Sequence, residues 1–284
     1  MPDTRPRAGE YTSEQLRHVR EACLYAATLL GDILDQLVVA GGLVPSLLIP
    51  TESLSGGEGP HVGTRDLDLG LALALLDDHR YEDLTERLRR AGFQPDINEQ
   101  GNRTLQCWKI ELDSQGKITI DFLIPPSLAE HRGGQLCHIE ADFAAIITPG
   151  LHLAFDDRER ITLSGTTIRG ERATRDIWVC GPGAFVVLKA LAFLHRGEEK
   201  DAYDLYYLIR NYGQGIDDVY HRLSPLLNDQ NAQDALDILR SDFCEPDQVG
   251  PMRVATFLYG ESNDELQADV AGFVRELVSR CDSV

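Results

Sequence analysis

From Leu16 to Leu37, apolar residues recur at the three- and four-residue spacing of one helix face: Leu16, Val19, Cys23, Ala26, Ala27, Leu30, Ile33, Leu34 and Leu37. Thr12 and Gln15 stand before them in the T-x-x-Q pattern of a capping box, after a polar tail over 1–11. The spacing predicts one long amphipathic helix leading into Val38-Val39-Ala40-Gly41-Gly42. A short helical turn over 44–48 follows, with Pro45 tolerated in its first turn. Residues 50–63 (PTESLSGGEGPHVG) read as a loop from their Gly, Ser and Pro content. The period then changes to two. Asp66-Leu67-Asp68-Leu69-Gly70-Leu71 alternates as a half-buried strand does. An amphipathic helix is predicted over 77–91, with Arg87, Arg89 and Arg90 at its C-terminal end before Gly92. Residues 103–112 and 117–124 read as two strands joined by a turn over 113–116.

Past Pro125-Pro126 the pattern is strand-like at 144–147, 151–155, 160–163, 166–168 and 177–179. From Gly181 it becomes helical, at 182–195, 201–210, 216–226, 231–241, 251–259 and 262–280. The expected fold class is therefore α/β (α+β), a mixed sheet flanked by helices and followed by a helical C-terminal domain. The expected domains are a core over 12–126, a β-rich connecting region over 127–180 and the helical domain over 181–284.

Composition narrows the function. Of 284 residues, 46 are acidic and 27 basic, for a formal net charge of −19. A protein that coats DNA non-specifically needs a surplus of Lys and Arg, so DNA is not an expected partner. The six cysteines are widely spaced with no C-x-x-C pair, which reads as free thiols in a reducing cytosol. The polar N-terminus lacks a signal-peptide core, and the longest apolar run, 184–194, is interrupted by Lys189. No membrane partner is expected, and the expected location is cytoplasmic.

Three carboxylates carry the candidate chemistry. Asp66 and Asp68 are two residues apart on one strand and so project from the same face. Asp121 interrupts the apolar run Ile118-Thr119-Ile120-Asp121-Phe122-Leu123-Ile124, where an ionised group is costly without a cation or donor. Converging carboxylates make a hard oxygen site suited to Mg²⁺. Taken alone, D-x-D is a weak signal for a metal site: Asp66 and Asp68 also read as solvated residues on an exposed sheet face, and Asp121 as tied to an Arg. Gly41-Gly42 lets backbone amides approach phosphate oxygens, or forms a plain tight turn. Lys189 lies in a helix apolar nearly all round and needs an anionic partner, either a carboxylate or a bound phosphate. Asp201 and Asp204 follow, Asp201 being a good N-cap and Asp204 falling in the first helical turn.

Together these pieces resemble a known group. Ala40-Gly41-Gly42, Thr64-Arg65-Asp66-Leu67-Asp68-Leu69 and Ile120-Asp121-Phe122 are similar to the signature of the polymerase-β-type nucleotidyltransferase superfamily. Lys189-Ala190-Leu191-Ala192, Arg196 and Lys200-Asp201-Ala202-Tyr203-Asp204-Leu205 resemble the AbiEii/AbiGii and MenT-type toxin nucleotidyltransferases. The resemblance covers roughly 37–125 and 182–210. It implies a nucleotidyltransferase-type sheet and transfer of a nucleoside monophosphate from an NTP to an acceptor, often RNA such as a tRNA end. Mg²⁺, with Mn²⁺ as the alternative ion, would be held by Asp66, Asp68 and Asp121. Lys189 and Asp204 would assist, and an antitoxin protein would be a partner. Gly41, Gly42, Ser46, Thr64, Arg65 and His61 are the candidate nucleotide-binding residues.

The sequence departs from the pattern in two ways: Gly-Gly stands for Gly-Ser, and 23 residues (43–65) separate Gly42 from Asp66. The extra segment 50–63 is expected to be a lid or to reshape the acceptor site. The net charge keeps a cationic small-molecule acceptor such as an aminoglycoside as an alternative. A catalytically silent binding module is a further one. G-x-x-x-x-G-K-[ST] and G-x-S-x-G are both absent, against a P-loop NTPase and an α/β-hydrolase. His131, Cys137 and His138 read as ordinary loop residues, and Arg169, Arg172 and Arg175 as a solvated loop.

Overall fold

The computed structural model describes residues 6–54, 59–72, 80–98, 100–112, 116–128 and 130–283. The chain divides into two compact units. One, the sheet unit, comprises Glu14–Val44 and Thr64–Cys180. The other, the helical unit, comprises the N-terminal residues through Ser13, Pro45–Gly63 and Gly181–Val284.

Among the described residues, the sheet unit holds nine strands in one mixed sheet. They are β1 (Leu37–Ala40), β2 (Asp66–Leu71), β3 (Gln94–Ile97), β4 (Arg103–Leu112), β5 (Gly116–Ile124), β6 (Leu136–Glu140), β7 (Phe143–Ile147), β8 (Arg158–Thr166) and β9 (Arg172–Cys180). Their order is β3-β4-β5-β2-β1-β9-β8, and β7 pairs with both β5 and β6. Strand β2 runs parallel to β5 and antiparallel to β1, so the two predicted acidic strands are neighbours. Alternation explains the layering. Ile118, Ile120, Phe122 and Ile124 of β5 are buried, while Thr119, Asp121 and Leu123 between them are half-buried. On β4, Trp108 and Ile110 are likewise buried. Phe122 and Trp108 meet Phe143 edge-on, with ring centroids 5.1 and 6.0 Å away. Helix α1 (Ser13–Leu29) stacks Tyr25 on Phe93 at 5.9 Å, and α3 (Arg80–Arg90) lays Arg89 over Trp108 at 5.5 Å.

The short helix α2 (Val44–Leu48) has the predicted limits. The helical unit then contains α5 (Pro182–Arg196), α6 (Glu199–Asn211), α7 (Ile216–Leu223), α8 (Gln230–Asp242), α9 (Val249–Tyr259) and α10 (Asp264–Cys281). Gly183 lies where a Cβ would overlap the backbone of Arg222 and Leu223, so only glycine lets α5 pack so close to the end of α7. No helix among the described residues is long and apolar enough to cross a membrane.

Five expectations need correction; among them, 166–168 is not a strand of its own, because Thr166 ends β8 and the chain turns there toward β9. The N-terminal helix stops at Leu29, and Leu37 already belongs to β1, whose four residues are all buried. The stretch 151–155 is not a strand but includes most of the single turn α4 (Leu153–Asp156). The N-cap of α6 is Glu198, which leaves Asp201 inside the helix. Strands β3 and β6 carry no clear alternation and were not expected; Pro95 in β3 argues against a strand except at a sheet edge, which is where β3 lies. The start of the expected 77–91 helix and most of the 113–116 turn lie outside the described residues.

Candidate active site

The register of the sheet determines which side chains share a face. Asp68 pairs with Asp121 across the parallel β2–β5 ladder, and Asp66 pairs with Thr119. Register partners project to one side, and so do residues two apart on a strand. Asp66, Asp68 and Asp121 therefore stand on one face, opposite the apolar layer of Leu67, Leu69, Ile120 and Phe122. All three are half-buried.

Gly41 closes this face on the β1 side. Ala40 is the register partner of Asp68, and the next residue turns into a 3₁₀ turn, Gly41–Leu43, with Gly41 at φ +65°. A Cβ on Gly41 would overlap the Asp68 carboxylate. Two physical demands thus fall on one position, a left-handed backbone and room for an acid. Gly41→Ala is expected to destabilise the sheet unit by about 1 kcal/mol through its backbone alone, and to push the Asp68 carboxylate aside. Urea unfolding of Gly41→Ala, Asp68→Ala and the double variant checks this. The double variant should retain the backbone cost and lose the steric one.

The donor chemistry, three carboxylates on one face, fits a hard divalent ion. As the side chains stand, Asp66 accepts a hydrogen bond from the Thr64 hydroxyl at 2.6 Å. Among the described residues, no three His, Cys, Asp or Glu side chains are already gathered in a metal-holding group. Cys107 is the β4 register partner of Asp121. Its thiol is pushed far up by burial, by the Asp121 charge and by its hydrogen bond to that carboxylate, so it remains a protonated donor to Asp121. Sequence reasoning missed Cys107. The only signal was its place in an alternating strand paired to the Asp121 strand.

Gly42, Thr64 and Arg65 also belong to the sheet unit; Gly42 and Thr64 are buried and Arg65 is exposed. Ser46, His61, Lys189 and Asp204 belong to the helical unit. There Lys189 has carboxylate partners: its ammonium is 2.8 Å from Asp201 and 2.7 Å from Asp204. Arg196 makes a forked pair with Asp201, and Lys200 meets both oxygens of Asp204 at 2.7 and 2.9 Å. Burial pushes the Lys189 pKa down, but Asp201 and Asp204 outweigh it and hold the ammonium charged. Burial likewise opposes ionisation of Asp204, and Lys189, Lys200 and His61 hold its carboxyl well below the usual range.

His61 is equally determined. Its Nδ1 accepts the Gly63 N–H at 3.1 Å. The ring proton therefore sits on Nε2, which donates to Asp204 at 2.8 Å. Tyr203 stacks on the ring with centroids 5.2 Å apart and Tyr207 meets it edge-on at 5.0 Å. The Val62 N–H donates to the Tyr203 hydroxyl, and the Tyr207 hydroxyl donates to the Gly59 carbonyl. Residues 59–63 are thus strapped onto α6.

Burial lowers the His61 pKa from 6.5 to about 4, against the pull of Asp204. Between those values the unfolded chain takes up a proton that the folded chain does not. Stability from this group is full above pH 6.5 and is lost as the pH falls toward 4. The expected loss is roughly 3 kcal/mol. Denaturant titrations at pH 7.5, 5.5 and 4.5 should show it, and His61→Phe should flatten that part of the profile.

No protein-family model matches the chain, and no curated protein matches it. Among solved structures it is similar to the crystal structure of an antigenic nucleotidyltransferase-like protein from Paracoccidioides brasiliensis. The identity is 18%, over 80% of this chain and 88% of that one, with a TM-score of 0.41. At that identity and score the likeness assigns neither a family nor an activity.

Proposed function

We propose that the chain is a nucleotidyltransferase that moves a nucleoside monophosphate from an NTP to an acceptor hydroxyl on RNA, such as a tRNA end, forming a bond from that oxygen to the α-phosphorus and releasing pyrophosphate. Mg²⁺ or Mn²⁺ is its cofactor, and a toxin–antitoxin or phage-defence system, with an antitoxin partner, is its setting. The observation that carries this reading is the shared face of Asp66, Asp68 and Asp121 beside the Gly41 turn. Those are the residues whose sequence resembles the nucleotidyltransferase signature.

When bound by the three aspartates, the divalent ion would neutralise the triphosphate and polarise the reacting phosphorus. The chain's own groups do the rest. Gly41 and Gly42 carry no side chains, so the backbone N–H groups of the turn are open to phosphate oxygens. Asp121 takes the proton of the acceptor hydroxyl, with the Cys107 thiol donating to the same carboxylate.

A cationic small-molecule acceptor is the second reading, favoured by the net charge of −19. Incubation with each labelled NTP, Mg²⁺ and either total tRNA or aminoglycosides separates the two. Label on RNA supports the first reading and label on an aminoglycoside the second. No label on either, with any NTP, overturns both.

A further inference from the structure

The two ends of the sheet are built differently. At one end β3 is four residues long, carries Pro95 and breaks register between Pro95 and Asp96. On the side branch, β6 is five residues long and breaks register between His138 and Glu140. Short length, proline and bulges are the usual means of keeping a sheet edge from pairing further. At the other end β8 has none of them. It is nine residues long, without proline or lysine, and pairs with β9 from Arg158 to Thr166 with no register shift.

The hairpin determines which backbone groups of β8 face outward. The Thr167 N–H donates to the Glu171 carbonyl at 2.7 Å, in line with the β8–β9 register. Hydrogen-bonded and non-hydrogen-bonded pairs alternate along an antiparallel ladder. The odd-numbered residues of β8 therefore bond to β9, and the even-numbered ones turn their N–H and C=O groups away from it. Among the described residues, no backbone hydrogen bond meets the outward groups of Arg160, Thr162, Ser164 and Thr166. All four residues are exposed. Their side chains leave the edge clear: Thr162 and Arg160 both reach Asp176 on β9, at 2.6 and 2.9 Å, and Ser164 meets Thr174 at 3.0 Å.

The same strand, turned around, fits this edge. Set antiparallel to itself about Thr162, its middle residue, β8 brings Arg160 opposite Ser164 of the second copy. Arg158 then stands opposite Thr166, and Glu159 opposite Gly165. The charged half of each strand lies against the uncharged half of the other, and no like charges meet. Thr162 faces its own copy, a favourable cross-strand pair. The outward residues form the hydrogen-bonded pairs, each exchanging both bonds. On the other face, the half-buried Ile161 comes beside the buried Leu163 of the second copy, so the apolar row continues across the two-fold axis. Centred on Arg160 instead, the pairing would oppose two guanidinium groups. We infer that β8 joins β8 of a second copy of this chain, giving a symmetric dimer with one continuous sheet. Such a contact closes on itself, since it uses the same edge of both copies. Strands β1 and β9 stand between β8 and the acidic strand β2, and the inference is independent of the transfer reading.

Sedimentation of the full chain tests it. The chain should run as a dimer at about 100 µM and dissociate on dilution. Thr162→Pro should make it monomeric throughout. The N–H lost there points outward, so the β8–β9 ladder and the thermal unfolding of the diluted monomer should be retained. Ser164→Arg opposes Arg160 of the second copy on both sides of the axis and should weaken association about tenfold. Exchanging the two, Arg160→Ser with Ser164→Arg, restores an arginine–serine pair at each place and should recover the dimer. A chain that stays monomeric at about 100 µM overturns the inference. So does a dimer that Thr162→Pro and Ser164→Arg both leave intact, because its interface is then elsewhere. If Thr162→Pro fails to fold, the other two variants decide: weakening that the exchange recovers supports the pairing, and weakening without recovery overturns it.

Discussion

Asp68→Asn is expected to abolish nucleotidyl transfer while leaving the protein as stable as before, or more so. Asp68 and Asp121 are register partners on adjacent parallel strands, and two like charges placed so repel. Neutralising Asp68 should therefore raise stability by up to about 1 kcal/mol. It should also reduce label transfer by about 10²–10³-fold, the usual scale for one electrostatic group at a phosphoryl or acyl site. The same opposition of sign is expected for Asp121→Asn. For Asp66→Asn the gain in stability should be smaller, because the Thr64 hydroxyl bonds to the ionised carboxylate. Thermal unfolding and a labelled-NTP assay on the same samples decide it. A variant that loses both activity and several kcal/mol would show that the acids are structural.

Much of this face was legible in the chain. The D-L-D-L alternation determines both the strand and the common side of Asp66 and Asp68, and an ionisable Asp121 in an apolar run marks itself. The sharing of a face across β2 and β5 was not legible, because register is a long-range property set by pairing. Cys107 was missed for a related reason: it is an ordinary position of an alternating hairpin, and only its register partner Asp121 gives it meaning. The helices α5 to α10 follow from their 3.6-residue period almost residue by residue. One misread stretch is 30–37, whose apolar residues continue the spacing of α1. A fully buried strand and a buried helix face look alike in such a run, and Gly31 was the one contrary sign. From the sequence, the partner of Lys189 is either a carboxylate or a phosphate. The structure supplies carboxylates from Asp201 and Asp204, one turn apart on α6, together with a His61 contact from a segment more than 140 positions away.

That cluster should be the most sensitive point of the helical unit. Asp204 has no solvent exposure and accepts from Lys189, Lys200 and His61. Asp204→Asn keeps the shape but removes the charge that lets two ammonium groups stay buried or nearly so. Breaking a buried pair from one side costs about 3–5 kcal/mol, since the remaining charge is left without its partner. Lys189→Met should cost less, because Asp201 keeps Arg196 and Asp204 keeps Lys200. The double variant should be more stable than Asp204→Asn alone, as the stranded ammonium is then absent. Chemical denaturation followed by helical circular dichroism gives all three values. Stability losses in that order would make the cluster a fastening of α5, α6 and the 59–63 strap. If Asp204→Asn instead unfolds like the parent and loses only transfer, the charges at 189 and 204 act on substrate, and the ion pairs are a resting arrangement that the reaction displaces.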